Sequence, residues 1–94
     1  MKDVSHLFIS GRVQGVGFRY FVSHAASVYG VSGFARNLLN GGVEVYAEGE
    51  EKDLREFVRK VSTGPRLALV TKVSESKIPI MSAVFKSFEI LEDE

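Results

Sequence analysis

The chain is 94 residues long and 45% apolar, which makes one domain over 1–94 with a modest core that needs no staple. Lysine plus arginine equals aspartate plus glutamate, 12 against 12, so no bulk field recruits nucleic acid or an anionic membrane, and any preference for phosphate must be local. The lack of cysteine excludes disulfides, thiol catalysis and cysteine-based zinc sites, and no apolar run approaches the ~20 residues of a membrane-spanning helix.

Leu7, Ile9, Gly11 and Val13 alternate with Phe8, Ser10 and Arg12 in a first predicted strand, and Phe8 suggests that neither face is wholly wet. Glycines at 11, 15 and 17 then sit at the junction with a predicted helix over 18–29. Apolar positions 18, 21, 22, 25, 26, 28 and 29 give that helix one broad apolar face, and Gly30 stops it. Glycine permits positive φ and lets a ligand approach the backbone. A loop of this kind can turn several N–H groups inward as an anion-binding nest. The helix start adds unpaired N–H groups and a positive dipole end. Arg19 adds a fixed charge with a fork of donors, so the stretch suits a compact oxyanion, above all a phosphoryl group. It is neither familiar nucleotide loop: Tyr20 stands where G-x-G-x-x-G needs its third glycine, and no Gly-Lys-Ser/Thr triplet follows. Tyr20 and Phe21 read as helix core or boundary rather than substrate clamps. His24 has Tyr20 and Val28 at i±4, hence no metal pair, and reads as a surface or boundary residue.

A second strand over 31–38 leads to Asn40-Gly41, the strongest hairpin signal in the chain because both residues tolerate positive φ. In the next strand, 43–48, Val43, Val45 and Ala47 point one way and Glu44, Tyr46 and Glu48 the other, with Gly49 as its end. A second helix over 50–62 carries Leu54, Phe57, Val58 and Val61 at helical spacing. Its acidic start and basic end match the helix dipole, so the charge run at 50–53 reads as a solvated helix start rather than a metal site. Gly64-Pro65 closes it. A strand falls within 67–76, then a connection over 77–84, because Pro79 argues against a central strand there. A short last strand, at an edge, lies within 85–91, and Glu92-Asp93-Glu94 reads as a frayed acidic end. The fold class is therefore α+β: a split βαβ sandwich, βαββαβ plus a short extra C-terminal strand, with two helices on one face of an antiparallel sheet.

The stretch Gly11-Arg12-Val13-Gln14-Gly15-Val16-Gly17-Phe18-Arg19 resembles the first signature of the acylphosphatases. Gly33-Phe34-Ala35-Arg36-Asn37, followed by Gly41, Val43 and Gly49, resembles their second, and the likeness extends through Gly64-Pro65 to Phe88-Glu89-Ile90. The resemblance implies a ferredoxin-like sandwich that hydrolyses acyl phosphates to a carboxylate and inorganic phosphate without metal or cofactor. The substrate would be a small-molecule acyl phosphate, with inorganic phosphate as product and inhibitor. By the same resemblance the backbone of Gln14, Gly15, Val16, Gly17 and Phe18 would cradle the phosphate beside the Arg19 guanidinium, and Asn37 would hold the attacking water. One local departure is Leu38-Leu39-Asn40-Gly41-Gly42, where family members more often carry polar residues or proline around 39 and 42.

That chemistry suits these residues. The leaving group departs as a stabilised carboxylate, so a strong general acid is dispensable, and neither motif contains a carboxylate. Phosphoryl transfer then rests on positioning and electrostatics, which N–H donors and Arg19 supply. Asn37 offers an acceptor and two donors but is no base, which leaves a substrate phosphoryl oxygen as a proton acceptor. Arg12 and Arg36 read as solvated strand arginines. An RNA-binding sheet of the RRM kind lacks its basic excess and aromatic strand motif here. A non-catalytic anion-binding regulatory module on the same fold is the alternative, against which Arg19 and Asn37 together favour the enzyme. A soluble, cytoplasmic monomer is the expectation, with no signal-peptide core in the first residues and no nucleic-acid or membrane partner.

Overall fold

The computed structural model describes residues 2–79 and 85–94. The elements are β1 (Lys2–Arg12), α1 (Phe18–Tyr29), β2 (Ser32–Asn37), β3 (Val43–Glu50), α2 (Glu51–Thr63), β4 (Leu69–Pro79) and β5 (Phe88–Ile90). They form one sheet in the order β4-β1-β3-β2-β5, the ferredoxin-like sandwich expected. Leu7, Ile9, Ala35, Val43, Val45 and Ala47 of the strands meet Phe18, Val22, Ala25 and Ala26 of α1 and Leu54, Phe57 and Val61 of α2 in a shared core. The apolar spacing of α2 does what helical periodicity requires, with Val58 at the core's margin.

Three details differ from the sequence reading. The sheet is mixed, because β5 pairs parallel with β2. The cause is directional: Pro79 pairs with Asp3, at the end of the sheet where β2 begins, so a chain re-entering from that end must run alongside β2 in the same sense. Secondly, β4 continues past Ser76 to Pro79. It is an edge strand, where a residue without an N–H is tolerated on the outer side. The rest of the connection expected over 77–84, residues 80–84, lies outside the described residues. Thirdly, β3 runs through Gly49 to Glu50, and α2 starts one residue later than expected.

The face opposite the helices is half-covered by aromatics. Phe34 and Tyr46 stack at 5.7 Å with 5° between their planes, and His6 approaches Phe8 at 4.7 Å. Beside them Arg36 donates from Nη2 to Glu44 Oε1 at 2.7 Å, and His6 Nε2 lies 2.7 Å from Glu44 Oε2. Burial pushes the Glu44 carboxyl up, but the Arg36 and His6 hydrogen bonds and their charges outweigh it, and the group is held below its ordinary value of 4.5. A depressed carboxylate stabilises the fold fully above its unfolded value, and that contribution is lost as pH falls through the folded one. Glu44→Gln is therefore expected to flatten the loss of stability on acidification below 4.5. Urea unfolding over about pH 6 to 3 tests this, and parallel acid limbs in the two proteins would refute it.

Candidate active site

The end of β1 feeds a loop built on two left-handed glycines. Gly15 has φ 74° and Gly17 φ 76°, while no non-glycine residue among those described has positive φ, so the sign alternates across Gly15-Val16-Gly17. Alternation of this kind turns successive N–H groups to one side, as in an anion nest. Gly17 is also the N-cap of α1, in a conformation that a side chain with a Cβ seldom adopts. Among the described residues, no carbonyl accepts from the N–H groups of Gly15, Val16, Gly17 or Phe18. Phe18 is buried in the core and fixes where the helix begins.

Gly15, Gly17, Phe18 and Arg19 line one cavity of about 120 Å³ together with Val13, Tyr20 and Asn37. Five of the expected site residues are thus brought together. Gln14 and Val16 stand apart from that lining. The Gln14 side chain turns away and donates from Nε2 to the carbonyls of Leu38 at 2.7 Å and Gly42 at 2.9 Å. It clamps the loop to the β2–β3 hairpin, whose own closure comes from Leu38 N–H to Gly42 O and Gly42 N–H to Asn40 Oδ1. Val16 packs partly against the core. The departure at 38–42 leaves Leu39 exposed at the hairpin tip, away from the cavity lining.

Asn37 ends β2. The strand's alternation places it on the helix side with Gly33 and Ala35, while Arg36 goes to the far face and pairs with Glu44. Asn37 is only 8% exposed, no side-chain hydrogen bond of its amide is found among the described residues, and since none of their fully buried polar atoms goes unpartnered the amide opens on the cavity it lines. A nearly buried amide that borders a cavity and bonds nothing among the described residues is available to a ligand or a water.

Arg19 is anchored from an unforeseen direction. Its Nη1 donates to Asp93 Oδ1 at 3.0 Å, with the Leu91 carbonyl at 3.5 Å. The acidic end is not frayed: Leu91 N–H bonds the Ala35 carbonyl and Glu94 N–H the Asn37 carbonyl, which extends the course of β5 along β2. Those carbonyls lie on the side of β2 away from β3 and need donors, which the chain beyond β5 supplies. Tyr20, expected in the helix core or at its boundary, is 75% exposed at the cavity's rim.

A larger cavity of about 440 Å³ lies at the opposite end of the sheet, bordered by Lys2, Gly30, Glu48 and Phe85. None of the loop's donors lines it. Among the described residues no group of three or more His, Asp or Glu side chains gathers as a metal site would require.

The sequence matches the family model described as Acylphosphatase over residues 5–90. It is similar to an acylphosphatase of Caldanaerobacter subterraneus subsp. tengcongensis, 48% identical over 75 residues that cover 80% of this chain and 83% of that one. An acylphosphatase of Archaeoglobus fulgidus is 44% identical over 84 residues, 89% of this chain and 92% of its own. The fold is similar to the crystal structure of acylphosphatase from Bacillus subtilis, with a TM-score of 0.88 and 37% identity over 97% of this chain and 99% of that one.

Proposed function

The chain belongs to the acylphosphatase family, and on that footing we propose how its own residues hydrolyse an acyl phosphate to a carboxylate and inorganic phosphate. The phosphoryl oxygens sit against the N–H groups of Gly15 to Phe18, at the positive end of α1, and the Arg19 guanidinium spreads the charge that builds on them. Gln14 holds this loop in register with the hairpin, and Val16 supplies the alternating backbone between the glycines. The Asn37 amide holds a water on the side opposite the leaving group. The water oxygen bonds to phosphorus as the bond from phosphorus to the acyl oxygen breaks. The acyl oxygen keeps the electron pair as a carboxylate, and the water's proton passes to a phosphoryl oxygen. No general acid takes part.

The observation that carries this reading is the unpartnered Asn37 amide in the same 120 Å³ space as the glycine nest and Arg19. That volume is several times the roughly 10–15 Å³ that one water requires, so it has room for more than a single solvent molecule. The enzyme acts as a cytoplasmic monomer in this reading, and inorganic phosphate, the product, returns to the same loop. No helix among the described residues is long and apolar enough to cross a membrane.

Phosphate is therefore expected to inhibit competitively, and a chelator to leave the rate unchanged, because Arg19 and the N–H donors supply the positive potential. Steady-state hydrolysis of benzoyl phosphate with added phosphate or EDTA tests both. Inactivation by EDTA with recovery on adding magnesium would overturn the electrostatic assignment. So would phosphate density elsewhere in a soaked crystal whose 15–19 loop stayed empty.

A further inference from the structure

We infer that Tyr20 is the wall against which the acyl group lies, and that it tunes the enzyme toward flat, aromatic acyl phosphates. The inference rests on the hydrolysis reading above. At about 120 Å³ the cavity is well below the roughly 300–1,000 Å³ of sites that enclose a whole small ligand. With the phosphoryl group in the nest, the acyl group has to project through the mouth. The lining residues differ sharply in what they offer there. Val13 and Phe18 are buried in the core, Gly15 and Gly17 have no side chain, and Asn37 is nearly buried. Tyr20 alone combines a place in the lining with an extended side chain that is 75% exposed.

Two further observations support the assignment. Tyr20 is one residue beyond Arg19, in the first turn of α1, so it is fixed to the same rigid helix start that holds the phosphoryl charge. Its ring and hydroxyl have no aromatic or hydrogen-bond partner among the described residues, in contrast to Phe34 and Tyr46, which stack on one another. A ring carried on a fixed helix start, with its face exposed and unpartnered among the described residues, can offer that face to a planar group, while a methyl group covers too little of it to gain much.

The test is the ratio of kcat/KM for benzoyl phosphate to that for acetyl phosphate in wild type, Tyr20→Ala and Tyr20→Phe. Tyr20→Ala is expected to lower the ratio about three- to tenfold, the worth of one aromatic pair. The change should appear in KM for benzoyl phosphate with kcat retained, as for an interaction equal in ground and transition states. Acetyl phosphate kinetics should fall by less than those of benzoyl phosphate, and Tyr20→Phe should keep the ratio, because the ring and not the hydroxyl makes the contact. An unchanged ratio in Tyr20→Ala overturns the inference. So does an equal fall on both substrates, which would make Tyr20 a ligand of the shared phosphoryl group, or a fall of the ratio in Tyr20→Phe as large as in Tyr20→Ala, which would make the hydroxyl and not the ring the contact to the acyl group. These results leave hydrolysis itself standing, whereas a wild type inert to both substrates would strike down the underlying reading with it.

Discussion

Asn37→Ala is expected to lower turnover of an acyl phosphate by about 100–1,000-fold, the cost of one well-placed catalytic hydrogen bond, while phosphate affinity stays within about twofold. The reason lies in when each group is used. In the proposed mechanism the guanidinium of Arg19 faces the anion throughout, in the bound state and in the transition state alike. In that mechanism the Asn37 amide meets only the water, whose position matters at the moment of attack. Arg19→Ala should therefore weaken phosphate binding and slow turnover together, so the pair of variants separates the two roles. Both should stay folded, since Arg19 is partly exposed and bonds only the tail, and Asn37 contributes its backbone rather than its amide to the sheet. Calorimetric phosphate binding beside benzoyl phosphate turnover, with circular dichroism as the control, makes the comparison. If Asn37→Ala loses phosphate affinity as badly as Arg19→Ala, Asn37 belongs to the anion site and the nucleophile has another holder.

The second large effect is structural and lies four residues upstream. Gly33 has φ 144°, and a Cβ built there would stand 1.8 Å from the Tyr46 carbonyl oxygen and 2.8 Å from its carbon. Both are backbone atoms of β3, paired across from β2, so no side chain can swing aside. Gly33→Ala has to force the two strands apart or strain the dihedral, and each typically costs 1–3 kcal/mol, so a loss of about 3–5 kcal/mol is expected. For a small domain that approaches total stability, and poor soluble yield is the same outcome seen earlier in purification. Urea unfolding that places the variant within about 1 kcal/mol of wild type would show the close approach to be unimportant. The site would suffer as well, because Gly33 and Asn37 share one strand face and one register.

Much of this architecture was legible because it depends on local period. The 3.6-residue stripe of Leu54, Phe57 and Val61 and the two-residue alternation of β3 need no knowledge of the rest of the chain. The nest was legible too, since Gly15 and Gly17 can take φ values that other residues resist. What stayed hidden depends on partners far away in sequence. Gln14 reads as one more cradle residue until its side chain is found on carbonyls 24 and 28 residues on. Asp93 reads as a solvated acid until Arg19, 74 residues earlier, is found beside it. Glu44 reads as the wet half of an alternating strand, yet it is buried by a histidine and an arginine from two neighbouring strands. Pro79 misled because its lack of a donor forbids only the middle of a sheet, and the sequence does not say which strand is an edge. Tyr20 misled because its helical position fits the apolar stripe's margin, and nothing local reveals a cavity there.

The seating of residues 91–94 along β2 has a kinetic meaning. The loop at 15–19 and the strand end at 37 are held by groups from the far end of the chain, through contacts that span up to 74 residues. Contacts of such sequence separation form late, and the seating of 91–94 on β2 follows the docking of β5. A refolding molecule should thus regain its helices and its β1–β3 pairing well before it turns over substrate. Recovery of activity would lag behind recovery of the circular dichroism signal, and a chain still emerging during synthesis would be inert toward acyl phosphates however well formed its first half already was.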